Sequence, residues 1–410
     1  VVRDGNASLF EIASGGGFLP LIETGGRVRV CFTVDAPYAG GAERYVSLLG
    51  GGLDREVFAP MVLAKSNDGL AEWCGRLTGE GIPVVRAPMD MPFHAHHAIR
   101  VVSELRTLSP HIVHINAPGP YDGQMGMLAP IARAAGCFAV VVTEHLPRVE
   151  RLWKRALVKR FSCPWIDRVL TVSRSNLAHL IERQGVPEHK IEAVYNGIPA
   201  SYGSRRDAIR SAARRELGLE DGTTTFVFVG TLIDRKGVGV LIEAFAGLQG
   251  SPWRLFIIGG GVKRRAYETS VVERGLAGAV EFLGSIDESR VERILSAADC
   301  LVLPSFLEGM PYVILEAMAC SLSVLATRVD GIPEAVPDGE AAILVPPGDA
   351  DALRAAAARI AADRELRATL GANGRRRFER LFTLERHIER MTSLYLNLLG
   401  SADRRAARRE

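Results

Sequence analysis

Two glutamates, Glu308 and Glu316, flank one glycine-proline step in the run Pro304-Ser305-Phe306-Leu307-Glu308-Gly309-Met310-Pro311-Tyr312-Val313-Ile314-Leu315-Glu316-Ala317-Met318-Ala319. Gly309 lets the backbone approach a ligand closely. Pro311 suits the first turn of a helix, where its missing N–H costs little. A helix start presents free N–H groups and a positive dipole end to an anion. Glu308 falls in the loop before that helix, and Glu316 falls inside it with its side chain tilted back toward the start. An ionised carboxylate accepts strong hydrogen bonds, so two beside one phosphate site suit sugar hydroxyls. The plainer alternative is a helix with an acidic first turn and a solvated glutamate.

A second group is Phe228-Val229-Gly230-Thr231-Leu232-Ile233-Asp234-Arg235-Lys236-Gly237. A strand ends, a loop carries two cations, and a helix is expected to begin near Gly237. Arg235 and Lys236 there can neutralise charge developing on a departing diphosphate. A solvated pair of cations is the competing reading. Gly40-Gly41-Ala42-Glu43 permits tight backbone approach to a phosphate or acceptor, or is a plain turn. His145 closes Thr143-Glu144-His145 and reads either as a substrate contact or as a histidine satisfied by backbone. Asn196-Gly197 has an ordinary turn as its alternative. Gly259-Gly260-Gly261 lacks the G-x-G-x-x-G fingerprint of a dinucleotide site.

These residues sit just after apolar runs. The expected strands are Val28–Val34, Val57–Leu63, Ile112–Ile115, Phe138–Val142, Arg168–Val172 and Ile191–Val194, with helical patterns such as Ala98–Leu108 and Ser175–Gln184 between them. The strandless segment Pro199–Glu220 interrupts the alternation. It then restarts with Phe226–Val229, Arg254–Ile258, Val280–Leu283, Cys300–Leu303, Val324–Ala326 and Ile343–Val345. Continuous apolar strands alternating with helices mean α/β architecture with parallel sheets covered on both faces. The expectation is two Rossmann-like domains facing a cleft, residues 27–200 and 201–382. Open parallel sheets bind ligands beyond the carboxyl ends of their strands. The chain ends in helical patterns, Asp351–Ala362 and Leu384–Leu399, and an arginine-rich tail.

The 410 residues exceed one comfortable core, and 47% are apolar, which excludes general disorder. A net charge of +3 gives no global case for nucleic acid, and none is expected as a partner. Only six of the fifty basic residues are lysine, so arginine clusters carry little weight by themselves. Six cysteines without C-x-x-C spacing fit a reducing, cytoplasmic compartment better than a disulfide framework. Residues 1–26 lack the pattern of a signal peptide and are set aside from the fold.

The spacing E-x7-E, with Gly-x-Pro after Glu308 and Glu-Ala-Met-Ala at Glu316, resembles the retaining glycosyltransferase family 4 of the GT-B fold. The likeness runs over roughly residues 27–400, with the motifs in the family's order. It implies that Glu308 lies against the donor sugar and Glu316 binds the nucleotide ribose. Gly309, Met310 and Pro311 would face the sugar and phosphates. Lys236, and less directly Arg235, would bind the diphosphate beside Gly230. The loops at Gly260 and at Ser285-Ile286 would hold the nucleotide and its base. Gly40 and Gly41 would form the loop for phosphate or acceptor, His145 would contact the donor sugar, and Asn196-Gly197 would end the first domain. The family's final helix returns to the first domain, so residues 383–410 are assigned there. The chain departs from the family after the second glutamate: Ala319-Cys320-Ser321-Leu322-Ser323-Val324 lacks the usual Gly and Pro. Thr231 also stands where many members carry the arginine.

The resemblance implies transfer of a sugar from a UDP- or GDP-sugar to a hydroxyl acceptor of a glycan, lipid or small molecule, with retention. The nucleotide-sugar is a substrate, and no cofactor is expected. A nucleotide-sugar epimerase of the same fold, or a non-catalytic binder of sugar nucleotides, is the alternative. His94, His96 and His97 suit a helix start better than a metal site, and His111 and His114 would point to opposite faces of a strand. Asp349-Ala350-Asp351 has the form of a metal-binding motif but stands where a helix cap is expected, so no metal is called for. In residues 150–161, basic and apolar side chains alternate. The pattern fits a helix docked on the inner face of a membrane, though a core-facing helix with a basic solvent face is the preferred reading.

Overall fold

The computed structural model describes residues 26–89, 95–117, 123–146 and 160–406. The chain divides into two compact units, Val1–Tyr195 with Leu384–Glu410, and Asn196–Thr383. The first boundary falls a few residues before the expected one. Ile198 explains it: its N–H bonds to the Phe382 carbonyl at 3.1 Å and it bridges Thr383. Residues 196–198 and 383 are therefore tied into the second unit.

The first unit contains β1 (Val28–Val34), α1 (Gly41–Gly52), β2 (Phe58–Lys65), α2 (Ala71–Gly79), β3 (Val84–Ala87), α3 (Ala95–Leu108), β4 (Ile112–Ala117), α4 (Gly123–Ala134), β5 (Ala139–Glu144), β6 (Arg168–Thr171), α5 (Ser175–Gln184) and β7 (Ile191–Ala193). Its sheet has the order β3-β2-β1-β4-β5-β6-β7, and every pair is parallel. β3 is short and only one of its residues is buried, which is why its apolar pattern gives no strand signal. By contrast, all six residues of β4 and of β5 are buried.

The second unit contains α6 (Arg206–Glu216), β8 (Thr224–Val229), α7 (Val238–Ala246), β9 (Trp253–Ile258), α8 (Arg264–Glu273), β10 (Val280–Gly284), α9 (Glu288–Ala297), β11 (Cys300–Leu303), α10 (Tyr312–Ala319), β12 (Ser323–Thr327), α11 (Ile332–Ala335), β13 (Ala342–Val345), α12 (Ala350–Ala362) and α13 (Arg364–Leu381). Its sheet has the order β10-β9-β8-β11-β12-β13, again all parallel. In each unit the strand order reverses beside the first strand. That reversal leaves a crevice where open α/β sheets bind ligands. In the second unit it lies between β8 and β11, the strands that feed the Lys236 and Glu308 loops.

α14 (Leu384–Ala406) then belongs to the first unit. It buries Met391, Leu394, Tyr395, Leu398 and Leu399 and packs against α1 and β5. All six cysteines are buried thiols outside any disulfide. Among the described residues, no helix is long and apolar enough to cross a membrane. The stretch 150–161 lies outside the described residues except for its last two, as does His94.

Candidate active site

In the second unit, α10 has the sequence YVILEAMA and is buried on all sides. Glu316 lies within it at 3% exposure, so the reading as a solvated helix glutamate fails. Pro311 stands at the cap rather than in the first turn: its ψ is 125°, extended rather than helical. Its carbonyl still accepts an N–H from the first turn of the helix, that of Ile314 at 3.1 Å.

Glu308 is equally buried, at 3%. Its Oε1 accepts from Lys236 Nζ at 2.5 Å and from Ser305 Oγ at 2.7 Å. Arg235 Nη1 lies 3.6 Å from Oε2 and donates to the Leu307 carbonyl at 2.7 Å. The Arg235 carbonyl in turn accepts the Phe306 N–H at 2.8 Å. Neither cation is freely solvated, with Lys236 13% exposed and Arg235 29%. A buried carboxylate is costly unless paired and hydrogen-bonded, and both conditions are met.

The cations are carried by a 3-10 turn, Asp234–Lys236, which ends at Gly237. Gly237 has φ of 69°, and a Cβ there would lie 2.0 Å from the Pro304 carbonyl oxygen. Only glycine lets the two loops close to that distance. The loops at Gly230, Gly260 and Ser285, expected to hold the nucleotide, converge similarly. Leu232 N–H donates to the Gly260 carbonyl at 2.7 Å and Gly259 N–H to the Gly284 carbonyl at 2.8 Å. A Cβ on Gly260 would stand 3.0 Å from Ser285 Oγ. Gly230, Gly260 and Ser285, with Ile286 after it, thus share one end of the sheet. Asn196 Nδ2 donates to the Met310 carbonyl at 2.9 Å, so this residue holds the Gly309-Met310 loop and does more than form a turn.

In the first unit, Gly40 caps α1 and its N–H donates to Glu43 Oε2 at 2.7 Å; Gly41 is exposed. Burial raises the Glu43 carboxyl above its ordinary range. His145 is 9% exposed, its Nε2 lies 3.3 Å from Asn116 Oδ1, and its ring meets Tyr45 edge-on at 4.8 Å. Burial, then the neighbouring His387, hold this imidazole down at about 3. The ring is therefore neutral near pH 7 and can hydrogen-bond a substrate but not supply charge. His114 is held between Tyr395 Oη at 2.6 Å and Thr143 Oγ1 at 2.7 Å, which accounts for it without a metal. His111 Nδ1 accepts the Arg29 N–H at 3.0 Å. Asp349 caps α12 by accepting the Ala352 N–H at 2.8 Å, and Asp351 pairs with Arg354 at 2.8 Å.

The family models for "Glycosyltransferase Family 4" and "Glycosyl transferases group 1" match residues 39–202 and 209–377 respectively. The chain belongs to the family 4 glycosyltransferases. It is 30% identical over 280 residues to the 2-deoxystreptamine N-acetyl-D-glucosaminyltransferase of Streptomyces fradiae, covering 63% of this chain and 65% of that one. It is 28% identical over 356 residues to a GDP-mannose-dependent phosphatidylinositol monomannoside mannosyltransferase of Mycolicibacterium smegmatis, covering 83% and 90%. Against the first four curated relatives, the match spans only about half to two thirds of the relative's length. The solved structure of Anabaena HepE with UDP superposes with a TM-score of 0.76 at 19% identity, over 90% of this chain and 99% of that one. That likeness places the family 4 chain in the GT-B fold.

Two contributions to this site escape sequence reasoning. Asn196 reaches Met310 across 114 positions, and Asp330 Oδ2 accepts the Glu308 N–H across 22. No spacing rule links such pairs.

Proposed function

We propose that this protein transfers a sugar from a UDP- or GDP-sugar to a hydroxyl acceptor, with retention at the anomeric carbon. One observation carries the proposal: Glu308, Lys236 and Arg235 form a single buried ionic cluster at the strand-order reversal of the second sheet. The cations would take the diphosphate, and Glu308, released from them, would accept from sugar hydroxyls. Glu316 and the loops at Gly230, Gly260 and Ser285-Ile286 would hold the nucleotide. His145, Gly40 and Gly41 are the first unit's candidates for substrate contact. The leaving phosphate would take the acceptor proton on the same face, stabilised by Arg235, Lys236 and the backbone amides at the start of α10. The cationic loop supplies the charge that a divalent ion would otherwise give, so the reaction is proposed to need no metal or cofactor. A UDP complex of one structural neighbour and the GDP-mannose dependence of one relative support a nucleotide-sugar donor. Six buried cysteines held as thiols favour a cytoplasmic setting.

Thermal shift with UDP, GDP and their sugars identifies the donor, because a ligand that binds the native state raises its stability. Release of nucleoside diphosphate with acceptor present then measures transfer. Glu308→Gln and Glu316→Gln are each expected to lower transfer by about tenfold or more, on the order of 1.4 kcal/mol or above. Wild-type transfer by both variants would overturn the assignment. Donor turnover without acceptor that interconverts sugars would show an epimerase instead.

A further inference from the structure

Asp330 lies in the loop after β12, one residue before the glycine at the start of α11. Its φ is 43°, in the left-handed region, which only two other non-glycine residues adopt among the described ones, Ser109 and Ser321. Aspartate tolerates this conformation better than most residues, but glycine adopts it without strain. A glycine is next door: Gly331 has φ of −80°, a value open to any residue. The strained position thus carries a side chain, and the unstrained one carries none.

The Asp330 side chain acts at a distance along the chain. Its Oδ2 accepts the backbone N–H of Glu308 at 2.9 Å. Hydrogen bonds to an ionised acceptor are short and strong. β11 and β12 are neighbours in the sheet, so the two loops leave it side by side. A second tie joins the same loops, from Thr327 Oγ1 to the Ser305 carbonyl at 2.5 Å. Ser305 itself donates to the Glu308 carboxylate. The Glu308 carboxylate is oriented by Lys236 and Ser305, and its backbone by Asp330. Strain kept at one residue is informative when its side chain has a specific partner in a site.

We propose that Asp330 is a positioning residue, whose carboxylate fixes the Glu308 backbone and so aims the Glu308 carboxylate within the donor site. The proposal rests on the donor-site reading above. Its test uses the full chain with D330G, D330N, E308Q and the double variant D330G/E308Q. Nucleoside diphosphate release is measured from UDP-N-acetylglucosamine and GDP-mannose, following whichever the wild type turns over. D330G is expected to lower kcat about tenfold with KM changed less than about threefold. D330N keeps an oxygen acceptor and tolerates the left-handed backbone, so its kcat should stay within about threefold of wild type. D330G added to E308Q should cost no more than about a further twofold, because both changes act through one group. Amide hydrogen exchange at Glu308 gives a readout independent of turnover and should rise in D330G but not in D330N. Wild-type kcat in D330G, losses that multiply in the double variant, or unchanged exchange at Glu308 would each overturn the proposal. Where E308Q itself keeps full activity, the donor-site reading fails and this proposal falls with it; where the wild type turns over neither donor, exchange at Glu308 decides whether Asp330 holds its backbone.

Discussion

Gly237→Ala tests whether the two loops of the second unit form one site. Gly237 has φ of 69°, and a left-handed backbone costs an L-residue roughly 1–2 kcal/mol. The added Cβ would stand 2.0 Å from the Pro304 oxygen, and an ordinary contact begins at 3.4 Å, so the loops must part by about 1.4 Å. One loop carries Lys236 and Arg235, and the other carries Glu308. Misplacing reactive groups by about 1 Å can cost about a hundredfold in rate, or roughly 2.7 kcal/mol. Gly218→Ala is the control: its φ is 61°, and no heavy atom lies within 4 Å of the added Cβ. Both variants should lose roughly 1–2 kcal/mol of stability to left-handed strain, and Gly237→Ala should melt lower still because its loops must part, but only Gly237→Ala should lose about a hundredfold in transfer. Equal transfer by the two variants would refute the claim that this close approach assembles the donor site.

Three further outcomes are expected. Ending the chain after Phe382 removes α14, whose five buried apolar side chains contribute roughly 8–15 kcal/mol to the first unit. That is as much as a typical domain's whole stability, so the first unit should unfold and transfer should cease. The second unit's sheet stays complete, and nucleotide binding by calorimetry should persist; retained transfer would mean the helix is only a tail. The first unit should also weaken in acid. Burial holds His145 at about 3, His387 at about 4 and His114 well below its ordinary value. A depressed imidazole gives stability that is present above its unfolded value near 6.5 and lost as pH falls through the folded one, roughly 1.4 kcal/mol per group per pH unit. Glu144, pushed up to about 8 by burial, works oppositely: its contribution is present below 4.5 and lost as pH rises through 8. Glu43, also raised by burial, works with Glu144, and His111, lowered to about 4, works with the other imidazoles. Four imidazoles outweigh two carboxyls, so melting temperature should fall between pH 6.5 and 4.5, and a flat profile would contradict the burial of these groups. Last, transfer should survive a strong chelator, and a loss restored by Mg²⁺ or Mn²⁺ would show that Arg235 and Lys236 do not replace a divalent ion.

The sequence by itself determined the α/β class, the two parallel sheets and the position of the candidate loops just after their strands. Strands such as Cys300–Leu303 are buried on both faces, so their apolar runs are unbroken, and the candidate loop that carries Glu308 follows directly. Local rules also reach Asp349, because a helix cap involves only the next turn. Strand β3 is half exposed and leaves no such run. The tertiary structure decided the rest. Lys236 and Glu308 lie 72 residues apart, and sheet order, not sequence, makes them partners. The same holds for His114 and Tyr395, 281 residues apart, whose bond fixes the last helix on the first sheet. Asp330 looks like an ordinary turn residue until its neighbouring strand brings Glu308 to it. Periodicity records which face of an element is buried, and only the packed fold records what that face meets.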